Sequence, residues 1–508
     1  MFRNPPNLKY MKNQLVRKVF FLKKALVIII ICQVMHYFIA GCSSGREKCK
    51  ETTFVFKNVT VIDAVNGLRS DQNVIIRGNR IVESGPINEV SEPSGSTIID
   101  CRGKYLIPGL WDAHVHLTNS KDLVPAMFPL LIVNGITYVR DTAAELDQIQ
   151  PLLTEAEEAS RLNGMAPRIF MTGPHIDGLQ LIWSSSVSAV SVEQARFIVD
   201  CLIRSGVDQI KVYDLLEPEI CLEVLSHAKS KGYKVSAHVP LAMDVIEASN
   251  AGLSSMEHMI NLEMSCSSDW DSLLKARQQI IAQGDGKSGR ELREDIYKAQ
   301  RLYAFKTQDN KRRETVLKAL ADNNTWQVPT LAITSQDEHR IYARDDYKMT
   351  FRYLPEPVRT EWRKSATLRA DQAPSEVGMA HAYWAYDMIP RLVEAGIGIM
   401  AGTDMPLALL TPGFSLHEEL ALLVRAGLTP LQAIESATLR PAQFFGLENQ
   451  QGSIANGMMA DLLILNANPL DDITNTQKIE AVMRDGHLHT RDELDDILTQ
   501  LENINKTQ

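Results

Sequence analysis

Trp111-Asp112-Ala113-His114-Val115-His116 decides the reading of this chain. It follows directly on a short apolar run, Tyr105–Leu110. Alternate residues of a strand point to the same side. His114 and His116 can therefore meet one cation from a single strand end, and imidazole is a good ligand for zinc and its neighbours. Taken alone, such a pair equally describes two ordinary surface or core histidines. The rest of the chain supplies the weight.

Downstream, short apolar segments alternate with helical stretches. Gly135–Asp141, Arg168–Gly173, Gln209–Tyr213, Lys234–His238, Gln327–Leu331 and Gly396–Asp404 read as strands. Alternation of this kind predicts an α/β fold with a parallel sheet, and a closed (β/α)8 TIM barrel is its economical form. A parallel barrel delivers the C-terminal ends of all its strands to one face, where active sites sit. Chemistry-bearing residues recur at those ends: Lys211 after Ile210, His238 after Ala237, His258 after Glu257, and Asp404 after Gly402-Thr403. Singly, each has an ordinary reading: an ion-pair lysine, a packed histidine, a helix-capping aspartate. Together, and in this order, they predict one cluster.

Upstream of the motif, residues 52–107 read as short strands. Asn73–Ile76 and Ile81–Val82 flank Gly78-Asn79 in a hairpin pattern, and Thr97–Asp100 is a weaker candidate strand. Residues 448–490 hold a glycine turn, the apolar run Ala460–Leu465, and a second run, Ile479–Arg484, ending at Asp485-Gly486. Both segments are predicted to form one β-sandwich domain beside a barrel spanning 108–447, with a polar helical tail at 491–508. Two charge-rich helical stretches, 269–323 and 335–383, read as insertions at the barrel mouth. Such insertions serve as lids and pocket walls or as solvated decoration.

Residues 1–41 carry seven Lys/Arg and no Asp or Glu, and then Ala25–Ala40 is apolar. The order of basic, apolar and small-residue regions is that of an export signal. Ile39-Ala40-Gly41-Cys42 resembles a bacterial lipobox. The resemblance implies a signal peptide over 1–41, lipidation at Cys42, a tether at 42–51, and anchoring to a membrane on its periplasmic or cell-surface side. A plain anchor helix is the other reading of the same run. Without the leader the formal charge falls from −9 to −16. A surface that acidic repels phosphate backbones, which argues against nucleic acid as a partner. The cysteines beyond Cys42 are scattered, with neither disulfide-framework nor zinc spacing, and read as small buried hydrophobes.

As a set, these motifs resemble the amidohydrolase superfamily, over nearly all of the chain past the leader. Pro108-Gly109 leading to His114-x-His116 is similar to its opening signature. Gln209–Tyr213 resembles its carboxylated-lysine strand, and Gly402-Thr403-Asp404 its last ligand. The dipeptidase/prolidase-like branch and the imidazolonepropionase-related branch look nearest. The resemblance implies two divalent metal ions, zinc by preference. His114, His116 and Asp404 would hold one, His238 and His258 the other, and carboxylated Lys211 would bridge them. It also implies hydrolysis of C–N bonds in small amides, such as dipeptides, N-acyl amino acids or cyclic amides, by a metal-bridging hydroxide, with Asp404 moving the proton. A homo-oligomer is compatible with it.

Two alternatives stay open. A mononuclear deaminase or cyclic-amide hydrolase of the same superfamily is one. Such relatives place a glutamate soon after the strand-five histidine, whereas His238 is followed by Val239-Pro240-Leu241. A non-catalytic surface lipoprotein on a retired barrel is the other. The dipeptidase-like branch often carries Gly-Gly-His after its third strand, and here Gly173-Pro174-His175 stands in its place. His175 either lines the pocket or caps a loop. Tyr213 either reaches substrate or is structural.

Overall fold

The computed structural model describes residues 52–507 apart from 121 and 285. The leader, Cys42 and the tether lie outside the described residues. No helix among the described residues is long and apolar enough to cross a membrane.

Five strands open this part of the chain: β1 (Thr53–Asp63), β2 (Gly67–Arg77), β3 (Arg80–Pro86), β4 (Thr97–Asp100) and β5 (Tyr105–Pro108). The β2–β3 hairpin closes at Gly78-Asn79, with Arg77 opposite Arg80. Gly78 has φ +58°, the left-handed backbone such a two-residue turn requires. Nine strands follow: β6 (Leu110–Val115), β7 (Ile136–Asp141), β8 (Arg168–Met171), β9 (Ile176–Asp177), β10 (Val187–Ser188), β11 (Gln209–Val212), β12 (Lys234–Ala237), β13 (Ser255–Glu257) and β14 (Trp326–Val328). Near the end come β15 (Leu462–Leu465), β16 (Ile479–Arg484) and β17 (His487–Thr490).

These strands make a mixed α/β fold with three sheets. The first, in the order β17-β16-β15-β5-β1-β2-β3, with β4 on β1, joins both ends of the described chain. Its inner face packs Phe56, Val74, Ile76, Leu106, Leu462 and Ile464 into one apolar cluster. Each such side chain, once fully buried, contributes about 1.5–3 kcal/mol. The other two sheets are parallel: β6-β7-β8 and β10-β9-β11-β12-β13-β14. Strands of this kind are buried on both faces and read as continuous apolar runs. All six residues of β6 and of β7 are buried.

Helices cross between the parallel strands: α1 (Val124–Val133), α2 (Ile149–Asn163), α3 (Val192–Arg204), α4 (Pro218–Ser230) and α5 (Val245–Asn250). The first charge-rich stretch forms α6 (Trp270–Ala282), α7 (Gly289–Lys306) and α8 (Asn310–Asp322). The second holds α9 (Glu356–Ala370) and leads into α10 (Glu376–Glu394). Ser288 and Glu291 form a reciprocal capping box that starts α7. Helix α11 (Phe414–Arg425) follows, and α12 (Arg491–Thr507) ends the description.

The parallel ladders do not run on into one closed sheet. Gly396–Asp404, expected as a strand, makes only isolated bridges. Ile399 pairs with Gln327 on β14, and Met405 pairs with Val115 on β6. The cause is local: Asp404 has φ +73°, which breaks extended geometry where the segment meets β6. At the opposite gap two hydrogen bonds, Asp208 N–H to Met171 O at 2.8 Å and Met171 N–H to Asp208 Oδ2 at 2.9 Å, link the start of β11 to the end of β8.

Candidate metal centre

The irregular segment is fastened to β6 atom by atom. Asp112 is fully buried; its Oδ1 accepts the Thr403 N–H at 3.0 Å and its Oδ2 accepts the Thr403 hydroxyl at 2.7 Å. Burial pushes the Asp112 carboxyl up to about 7, against those hydrogen bonds. The Asp404 N–H donates to His114 O at 2.8 Å, and the His116 N–H to Met405 O at 2.9 Å. Gly402 permits this approach: a Cβ there would stand 2.6 Å from Val328 Cγ1 and 2.9 Å from His114 Cβ. The result is a three-sided donor group. Ligand atoms of His114, His116 and Asp404 all lie within 4.8 Å of one another. His116 Nε2 is 2.8 Å and His114 Nε2 3.2 Å from Asp404 Oδ1.

His258 and His238 extend the group from β13 and β12. The ring centroids of His114 and His258 are 4.5 Å apart, and those of His238 and His258 4.8 Å. Three of the four imidazoles are held at Nδ1. His114 Nδ1 donates to Glu257 Oε2 at 2.6 Å, His238 Nδ1 to Asp214 Oδ1 at 3.0 Å, and His258 Nδ1 to the Thr330 hydroxyl at 2.6 Å. A proton fixed at Nδ1 leaves Nε2 as the ligating nitrogen, the usual support of a metal-bound histidine. His258, Thr330 and Asp404 all adopt left-handed backbone, at φ +58°, +49° and +73°. Such strain gathers at functional sites.

The electrostatics suit a cation. Burial lowers His238 to about 4, partly offset by Asp214, and drives His258 well below the ordinary histidine range. Both rings are therefore neutral at pH 7, the state that ligates. Asp404 is held well below the ordinary carboxylate range. Burial opposes its ionisation, while the neighbouring His258 ring and hydrogen bonds from His114 and His116 outweigh that. Lys211 on β11 is fully buried and its Nζ has no hydrogen-bond partner. Burial brings it down to about 8, with Glu257 pulling the other way. An uncompensated ammonium is costly there. Conversion to a carbamate would replace it with anionic oxygen, the donor type that divalent ions accept. The donor set thus fits a divalent centre.

The site opens into a cavity of about 350 Å³, lined by His114, His116, His238, His258 and Asp404. Lys211 is buried and is not part of the lining. Both secondary candidates reach the wall. His175 stacks on Tyr213 at 4.2 Å, and Tyr213 on His238 at 4.2 Å. The Tyr213 hydroxyl accepts a hydrogen bond from Trp183 Nε1 at 2.8 Å. Sequence reasoning missed Asp214, Glu257 and Arg140. Arg140 is fully buried; its Nη2 donates to Glu257 Oε2 at 2.6 Å and its Nη1 to the Ser255 hydroxyl at 3.1 Å. A signal was available: charged residues inside the apolar strands Ile136–Asp141 and Ser255–Glu257 need partners. Trp183, Arg293, Arg301 and His381 also line the cavity, and nothing in their local sequence announces it.

Residues 385–489, which include Asp404, match the family model of the amidohydrolase family. The fold agrees. A crystal structure of a Xaa-Pro dipeptidase with bound methionine superposes with TM-score 0.60 at 20% identity, covering 86% of this chain and 100% of the other. The bottromycin amidohydrolase gives TM-score 0.67 at 22% identity, covering 89% and 90%. Among curated relatives, an adenine deaminase of Bacillus licheniformis is 29% identical over 128 residues, 24% of this chain and 21% of that enzyme. The chain spans about a fifth or less of the length of the first such relatives. The matched segment holds Asp404, whereas all four site histidines and Lys211 precede it.

Proposed function

We propose that the protein is a metal-dependent hydrolase of amide-type C–N bonds in small molecules. The observation that carries this reading is the meeting of His114, His116, His238, His258 and Asp404 around one cavity, together with the buried Lys211. In this reading His114, His116 and Asp404 would hold one divalent ion, most simply zinc, His238 and His258 would hold a second, and carboxylated Lys211 would serve as a donor to both. When bound, such ions polarise a carbonyl and acidify water. The protein's own part is positional and acid–base. Glu257, Asp214 and Thr330 fix the rings of His114, His238 and His258. Asp404 accepts a proton from the attacking water at its carboxylate and returns it to the leaving nitrogen.

The framework proposed for this site is a (β/α)8 barrel over 108–447 beside a β-sandwich from 52–107 and 448–490. Supporting it are the two parallel ladders, the bridges from 399 and 405 to β14 and β6, and the Asp208–Met171 hydrogen bonds. We also propose that Cys42 carries a lipid that anchors the protein to a membrane. Cys42→Ala should then abolish incorporation of a labelled fatty acid into the protein.

The decisive experiment is metal analysis of the purified protein together with a panel of dipeptides, N-acyl amino acids and cyclic amides. About two zinc ions per chain and turnover are expected. Asp404→Asn should retain zinc and lose turnover by at least 1000-fold, about 4 kcal/mol of transition-state stabilisation. Near-normal turnover in that variant would remove Asp404 from the chemistry. A deaminase is the second reading, favoured by the similarity to an adenine deaminase. Ammonia released from adenine, with the amide panel inert, would select it.

A further inference from the structure

Helix α7 belongs to an insertion, yet it forms one wall of the cavity. It is seated firmly: Leu292 and Ile296 pack with Ile182, Tyr213, Leu215 and Leu241. Residues four apart share a helix face. Arg293, Tyr297 and Arg301 form such a row, and both arginines line the cavity. Neither is spent on a good ion pair. Arg293 Nη1 reaches Asp214 Oδ2 only at 3.4 Å, and Asp214 is already engaged with His238. Arg301 Nε stands 3.4 Å from Glu263 Oε1 without hydrogen-bond geometry, and its Nη2 is 3.3 Å from His381 Nε2. A guanidinium carries five N–H donors in a planar fork. Arg277, buried and influenced by the same Glu263 and Asp214, competes with both arginines for these two carboxylates. Glu145 is a further carboxylate of the lining, and no ion pair joins it to either arginine among the described residues.

A loosely paired, partly desolvated pair of arginines beside an amide-cleaving centre selects for an anion with carboxylate geometry. Trp183, Ile260, Ile333 and Leu407 line the same cavity and give it an apolar side. We propose that Arg293 and Arg301 form a carboxylate subsite. The preferred substrate is then an amide whose amino-acid arm carries a free carboxylate and an apolar side chain: a dipeptide or N-acyl amino acid rather than a cyclic amide. This inference rests on the hydrolase reading for its chemistry, but its binding claim is independent.

The test uses two ligands that cannot be hydrolysed, leucine and leucinol, which differ only at the carboxylate. Calorimetric titration of the full-length, zinc-loaded protein should show leucine binding at least tenfold more tightly. Arg301→Met should bring the two within about twofold, since a charge-assisted hydrogen bond is typically worth about tenfold or more. Arg301→Lys should restore part of the preference. Arg293→Met, checked for an unchanged melting profile, is the second variant. Equal binding of leucine and leucinol by the parent protein, or an unaltered preference in both methionine variants, overturns the subsite. Equal kcat/KM for dipeptides and their C-terminal amides also overturns it while leaving the hydrolase intact. A leucine preference with no hydrolysis of any amide does the reverse.

Discussion

Glu257→Gln tests how much of the metal centre is held from behind. Glu257 and Arg140 are fully buried, and Oε2 lies 2.6 Å from both Arg140 Nη2 and His114 Nδ1. The substitution keeps the shape and removes the charge. Arg140 is then left as a buried cation with no other ion pair among the described residues, while Lys211 loses the opposing charge that acts on it most strongly. Breaking a buried pair from one side costs about 3–5 kcal/mol. Glutamine still offers an oxygen to Arg140, so the lower end, about 3 kcal/mol, is expected. Weakened support of His114 should add a 10- to 100-fold loss of zinc affinity. Urea unfolding in the presence of chelator measures the first effect, and competition with a chromogenic zinc chelator measures the second. The double variant Glu257→Gln/Arg140→Met should recover much of the stability, because the guanidinium leaves together with its counter-charge. A single variant within about 0.5 kcal/mol of the parent, with unchanged zinc affinity, would refute the claim that this pair supports the centre.

Other perturbations have equally definite outcomes. Glu419 on α11 is buried, accepts the Ala332 N–H at 2.7 Å, and burial pushes its carboxyl from 4.5 up to about 8. A carboxyl raised on folding stabilises fully below about 4.5, and that contribution is lost as pH rises towards about 8. Glu419→Gln should therefore gain on the parent steadily between those pH values, by an amount of order a few kcal/mol, as read by denaturation at each pH. Gly402→Ala forces a methyl against Val328 and His114. It should destabilise by about 1–3 kcal/mol and weaken zinc binding; an unchanged melting temperature counts against the packing described. Stripping metal with a chelator should abolish turnover and lower the melting temperature, and zinc should restore both.

Much of the site was legible because β-strands alternate and parallel strands end together. The strand period alone pairs His114 with His116, and the apolar runs before Lys211, His238 and His258 put those residues at strand ends. Asp404 falls at such an end too, but the strand expected to carry it is irregular: left-handed backbone at Asp404 gives isolated bridges in place of a ladder. The hairpin at Gly78-Asn79 followed from its turn residues. Thr97–Asp100, with only two apolar residues, forms a strand because β1 offers it a parallel partner, a tertiary effect beyond local pattern. Arg293, Arg301 and His381 were illegible for a similar reason. They sit on helices whose orientation toward the cavity is set by packing partners far away in sequence.

The strand leading into the histidine pair has a late companion. β5 is bordered by β15, with Pro108 opposite Leu462, roughly 350 residues further on (462 minus 108). At ordinary translation speeds that is a delay of about 20 to 70 s. Throughout it one edge of β5 lacks its eventual neighbour, and bare edges invite pairing with foreign strands. A ribosome that stalls before Leu462 would therefore release a product bearing all six proposed ligands on a support missing its final staves. Such fragments should aggregate rather than bind zinc.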